Sequence, residues 1–97
     1  MATSNDDIHR EETASGGRYH LTIDGHEAEM TYSKAGASAI IIDHTFVPRE
    51  LGGRGIGEKL VYSAVQDARS EGKKIIPLCP FAKAQFEKHE DWKDVLK

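Results

Sequence analysis

The stretch richest in chemistry is Val47-Pro48-Arg49-Glu50-Leu51-Gly52-Gly53-Arg54-Gly55-Ile56-Gly57-Glu58-Lys59-Leu60, where a strand end, a glycine-rich loop and a helix start follow one another directly. Glycines let the backbone turn tightly and let a ligand approach its amides. The first N–H groups of a helix have no partner inside it and lie at the positive end of its dipole, so this corner attracts phosphate or pyrophosphate. Arg49 and Arg54 add charge-assisted donors. A tight strand-to-helix turn without a ligand is the plainer account. Four glycines within the six residues Gly52 to Gly57 favour the anion site. Spacing excludes the common nucleotide motifs. Gly57 is followed by Glu58-Lys59-Leu60, which is no P-loop, and after Gly53-Arg54-Gly55 the third glycine of a dinucleotide fingerprint is missing.

The elements that would position this corner can be read on either side of it. Residues 1–17 are polar apart from isolated apolar positions and contain the Gly16-Gly17 pair, so they bury too little to order themselves and are expected to be a mobile tail. Residues 18–97 form the single domain. Tyr19, Leu21 and Ile23 alternate with polar residues up to the turn pair Asp24-Gly25, and Ala28, Met30 and Tyr32 line the returning strand. Ala39-Ile40-Ile41-Ile42-Asp43-His44-Thr45-Phe46-Val47 reads as a central strand ended by Pro48. Ile56, Leu60, Val61, Ala64, Val65 and Ala68 form one helix stripe, which Gly72 closes. Lys73 to Cys79 is a short strand in which Pro77 marks an edge or the end of pairing, and Phe81 to Leu96 a second helix. The class is α/β (α+β): a mixed sheet of three antiparallel strands, a right-handed helix crossover to a fourth, parallel strand, and a C-terminal helix.

Composition narrows the function classes. The 97 residues carry 13 Lys and Arg against 16 Asp and Glu, a net charge of −3, so no basic excess favours nucleic acid. No apolar run suits a membrane span and the polar, acidic start is unlike a signal peptide, which gives a cytoplasmic expectation with no membrane partner. Cys79 is the one cysteine, so an internal disulfide is excluded and a metal site would lack thiolate partners; none is expected.

Val47-Pro48, then Gly53-Arg54-Gly55-Ile56-Gly57 and an amphipathic helix, resemble motif A of the GCN5-related N-acetyltransferases, with Gly52 where that motif carries Gln or Arg. The meander and crossover from Arg18 to Trp92 resemble a shortened version of that fold. Asp43-His44-Thr45-Phe46-Val47-Pro48 and Ile75-Ile76-Pro77-Leu78-Cys79-Pro80-Phe81 are similar to the minimal YjdJ-type branch. The resemblance implies acetyl-CoA as cosubstrate and an amine as acceptor, a protein among the options. It also implies a pyrophosphate held on the amides of Gly52, Gly53, Arg54, Gly55, Ile56 and Gly57, with the backbone near Phe46 and Val47 aligning the acetyl arm. A tyrosine that serves many relatives as general acid is replaced by Phe86, which cannot donate a proton. Cys79 is the substitute that the small branch implies, as proton donor or transient acetyl acceptor; a buried structural thiol is the equal alternative. Ile41 stands where histone-modifying relatives place a Glu base, leaving the imidazole of His44 and the carboxylate of Asp43. A non-catalytic acyl-CoA-binding or interaction module is the competing function.

Overall fold

The computed structural model describes residues 8–97. Asp24 and Gly25 adopt φ of 53° and 81°, the two left-handed residues of the tightest hairpin turn, and set Ile23 opposite His26. The turn joins β2 (Gly16–Ile23) to β3 (His26–Ala35). β4 (Ala39–Phe46) returns antiparallel to β3. α1 (Ile56–Glu71) then crosses to β5 (Lys74–Pro77), which pairs with β4 in parallel. α2 (Pro80–Lys88) and a 3-10 turn at Glu90–Val95 complete the described chain.

The expected alternation is realised: Tyr19, Leu21, Ala28, Met30, Tyr32, Ile40, Ile42 and Ile75 are buried, facing the helices. All six apolar stripe residues of α1 are buried against them. The helix closes at Gly72, with φ 70°, where Lys73 N–H donates to the Ala68 carbonyl at 2.8 Å. No helix of the described residues is long and apolar enough to cross a membrane.

Two expectations need correction. The segment expected to be a tail over 1–17 contributes strands to the sheet from His9 onward. His9–Glu12 form β1, antiparallel to β2, and β2 itself starts at Gly16, so four antiparallel strands precede the crossover in the sheet order β1-β2-β3-β4-β5. Residues 1–7 lie outside the described residues. β1 has no apolar residue to betray it. Arg10 instead reaches from β1 to α1, its Nη1 lying 3.1 Å from Asp67 and 2.7 Å from Glu71, while Nε donates to the Tyr32 hydroxyl at 3.0 Å. Burial disfavours the Arg10 charge, but the Glu71 carboxylate and the Tyr32 oxygen more than offset that, holding its pKa above the ordinary value. Gly17 belongs to the same joint: a Cβ there would sit 2.3 Å from the Glu11 carbonyl and 2.6 Å from the Tyr32 hydroxyl.

The second correction concerns the helix expected over Phe81 to Leu96. It breaks at His89, with φ −116° and ψ 92°. The His89 ring stacks on Trp92 with centroids 3.8 Å apart, and Trp92 N–H donates to the His89 carbonyl at 3.0 Å. Leu96 then bridges Ile75 in parallel, and Lys97 N–H donates to the Ile75 carbonyl at 2.9 Å.

Candidate functional site

β4 and β5 part company at Pro77. Their ladder ends at the pair Ile42 and Pro77, and the chain is next held to β4 by Cys79 N–H donating to the Ile42 carbonyl at 3.1 Å. Proline cannot extend the ladder. On the other side of β4, Thr31 faces His44 but Tyr32 faces Ile42, so Asp43 is a bulge. β4 therefore runs on through Phe46 with no β5 partner among the described residues, and a cleft opens between the strands.

Below this cleft, a 3-10 turn at Arg49–Leu51 leads into the glycine loop. Gly53 and Gly55 adopt φ of 80° and 70°, a region that disfavours any side chain. A Cβ would meet nothing within 4 Å at Gly53 and only the Glu58 carboxylate, at 3.8 Å, at Gly55. The space outside both residues is open. Gly55 caps α1 with its backbone, its carbonyl accepting from Lys59 N–H at 3.1 Å, and no side chain caps the helix. The leading amides of α1 thus face outward at the positive end of a 16-residue helix. Gly57 serves packing: a Cβ there would lie 2.6 Å from the Phe81 ring of α2.

Two cavities meet at this helix start, sharing Gly55 and Glu58. One, of about 260 Å³, runs from Val47 along Gly52, Gly53 and Gly57 to Phe81, Gln85 and Lys88 of α2. Gln85 is 8% exposed, and its Oε1 has no hydrogen-bond partner among the described residues. The other, of about 410 Å³, is walled by Tyr62, His89 and Trp92 and carries Arg54 and Lys59. Glu58 and His89 bond each other at 2.5 Å between the two.

Cys79 is buried at the N-cap of α2, where its carbonyl accepts from Lys83 N–H at 3.0 Å. Its thiol donates to the Thr45 hydroxyl at 3.6 Å. Burial pushes the thiol pKa up, but the Ala82 and Phe81 amides of the helix start and the hydroxyl and backbone of Thr45 stabilise the thiolate more, so the net shift is below the ordinary value.

The profile of the GCN5-related N-acetyltransferases matches residues 18–95. The chain belongs to this family. In fold it is similar to the solution structure of a GCN5-like protein from Staphylococcus aureus, named as a candidate N-acetyltransferase: TM-score 0.72, 35% identity, over 94% of this chain and 89% of that one. A ribosomal-protein-alanine N-acetyltransferase from Brucella melitensis biovar Abortus 2308 shares the fold at TM-score 0.65 and 17% identity, over 79% of this chain and 64% of that longer one. No curated protein matches the chain.

Within this acetyltransferase-family domain the expected site residues divide into three places. Val47, Gly52, Gly53, Gly55, Ile56 and Gly57 line the smaller cavity, while Arg54 lines the larger and lies 3.7 Å from Asp24. Arg49 is exposed and lines neither. Asp43, His44 and Phe46 form the second place, on the sheet face away from the helices. His44 faces Thr31 and Phe46 faces Glu29, while Asp43 accepts from the Ser33 hydroxyl at 2.7 Å. Strict alternation along β4 would put His44 on the face opposite Ile41, but the bulge brings them to one side: Ile41 pairs with Ser33 and His44 with Thr31, two residues on one side of β3. Cys79 is the third place, on the helix side with Thr45, and no hydrogen bond joins it to Asp43 or His44. Phe86 is buried in the core. Among the described residues no group of three His, Cys, Asp or Glu is placed to hold a metal.

Gln85 and Lys88 were not legible as site residues, nor was the stack of Tyr62, His89 and Trp92. The spacing of Phe81, Gln85 and Lys88, four residues and then three, marks one face of α2 and was the available signal.

Proposed function

We propose that the domain is an acetyl-CoA-dependent N-acetyltransferase and that CoA lies along the two joined cavities. The observation that carries this reading is the start of α1 between them, which no side chain caps, with Gly53 and Gly55 in left-handed backbone facing open space. The amides from Gly53 to Gly57 would hold the pyrophosphate, supported by Lys88. The larger cavity, with aromatic faces and the cations Arg54 and Lys59, suits the adenosine end. Phe46 and Val47, at the end of the unpaired stretch of β4, would guide the acetyl arm toward Cys79.

The chemistry required of the chain is modest. Acetyl transfer forms an N–C bond, breaks the thioester C–S bond, and moves one proton from the amine to a base while the CoA thiolate gains one. Main-chain N–H groups at the cleft stabilise the tetrahedral oxyanion. Cys79 has the low thiol pKa that suits it to take the acetyl group in a first thioester exchange and pass it to the amine. His44 and Asp43, exposed on the other face of β4 from Cys79, are our choice for accepting the amine proton, which reaches them through water. The acceptor is an amine, with a protein or peptide terminus fitting a cleft this open.

Calorimetric titration with CoA and acetyl-CoA tests the cofactor, and mass spectrometry after incubation with acetyl-CoA tests Cys79 acetylation. A panel of peptides, polyamines and small amines tests turnover. Absence of binding at millimolar ligand overturns the reading. The buried Phe86, in place of an acid, favours one second reading, a non-catalytic acyl-CoA-binding module, which binding without transfer to any amine would select.

A further inference from the structure

Gln85 stands out in the groove of the glycine loop because its side-chain oxygen needs a partner that a phosphate cannot be. Its carbonyl oxygen is the one buried side-chain nitrogen or oxygen among the described residues without a hydrogen-bond partner. A buried acceptor left unpaired destabilises the fold, and its neighbour Phe86 shows that an apolar side chain packs well on this helix. Gln85 lines the groove of the glycine loop, one helical turn beyond Phe81 and three residues before Lys88. Ionised phosphate oxygens only accept hydrogen bonds, so a phosphate cannot satisfy this oxygen. The Gln85 amide nitrogen can donate to a phosphate, but its oxygen needs a donor, and a groove that offers amides at one wall and a buried acceptor at the other fits a ligand with phosphates followed by an N–H or O–H.

We infer that Gln85 is the specificity residue of the groove: its side-chain oxygen accepts a hydrogen bond from the pantetheine arm of CoA and so separates CoA from nucleotides with the same pyrophosphate. This rests on the CoA reading above. The amides of the glycine loop hold the phosphates of any such ligand. Gln85 makes the contact that depends on the arm.

The test is Gln85→Met, which keeps the length and apolar bulk of the side chain and removes the amide, titrated by calorimetry as the full chain with CoA and with ADP, which has the adenosine and pyrophosphate but no arm. The inference expects CoA affinity to fall about tenfold, ADP affinity to stay within about twofold, and the melting temperature of the free protein to rise, since an unpaired buried oxygen is gone. Gln85→Asn, which withdraws the amide by one methylene, should also weaken CoA and spare ADP, and serves if methionine disturbs folding. Unchanged CoA affinity in a folded variant, or parallel loss for CoA and ADP, overturns the inference alone. Wild-type protein that binds neither ligand overturns the CoA reading and this inference with it.

Discussion

Gly55→Ala and Gly72→Ala form a matched pair that separates backbone strain from ligand contact. The two glycines flank α1, Gly55 at φ 70° and ψ 23°, Gly72 at φ 70° and ψ 31°. A Cβ would meet only Glu58 Oε1 at 3.8 Å at Gly55 and nothing within 4 Å at Gly72, so neither alanine clashes with the protein. Each pays the left-handed penalty of about 1–2 kcal/mol. Each also regains about 0.4–1 kcal/mol by restricting the unfolded chain, leaving a net loss of about 1 kcal/mol. In a domain of this size that lowers Tm by about 4–8 °C. Only Gly55 lies where the two cavities meet. A methyl group there stands between phosphate and amide, and losing one charge-assisted hydrogen bond of about 1.5–3 kcal/mol weakens CoA by roughly ten- to a hundredfold. Thermal melts and CoA calorimetry, done where both variants are folded, give the four numbers. The expected pattern is similar melting losses with CoA binding impaired in Gly55→Ala alone. Equal CoA affinity in the two variants would refute the placement of the phosphate on this helix start.

Other perturbations probe the thiol and the edge strand. Thr45→Val removes a donor to the Cys79 thiolate and should raise the thiol pKa, seen as less ultraviolet thiolate absorbance at neutral pH than in wild type. The depressed pKa also gives the folded state a stability increment that is complete above the unfolded thiol value of about 8.5 and is lost as pH falls through the folded one. The melting advantage of wild type over Cys79→Ala should therefore grow as the pH is raised toward that value. Cys79→Ala should retain CoA affinity and lose any acetyl adduct; an adduct that persists places the acetyl group elsewhere. Arg10→Met leaves Asp67 without its cation and Glu71 with Lys73 alone, and should cost about 1–3 kcal/mol in urea melts, with amide protection lost first in β1. Protection retained across β1 would show that the strand is held by its ladder alone.

What was legible in the sequence was local. The hairpin turn at Asp24-Gly25, the six-residue stripe of α1 and the Gly72 closure each depend on residues within a few positions of one another, and each is found as expected. β1 escaped because His9-Arg10-Glu11-Glu12 has no apolar face, its attachment coming from ion pairs to residues more than fifty positions away. The second helix was read too long because its break depends on the His89 ring finding Trp92, a stacking that no propensity encodes. The candidate site divides along the same line. Its α1 wall is one contiguous motif and could be read, whereas Gln85 and Lys88 join it only through tertiary packing of α2. The bulge at Asp43 likewise turned a simple alternation into a shared face for Asp43 and His44, separating them from Cys79.

The bridge from Leu96 to Ile75 bears on how the molecule behaves in a crowd. A sheet that opens between two of its strands is at risk of recruiting a strand from another chain along any unpaired border. β5 is the short parallel strand beside the cleft, and its outer border is occupied by Leu96 and Lys97. On the far side of the sheet, β1 presents His9, Arg10, Glu11 and Glu12, charges that discourage strand addition. Self-association through the sheet is thereby opposed at both borders, while the stretch of β4 from Asp43 to Phe46 keeps its β5-facing edge outside the ladder of β4 with β5.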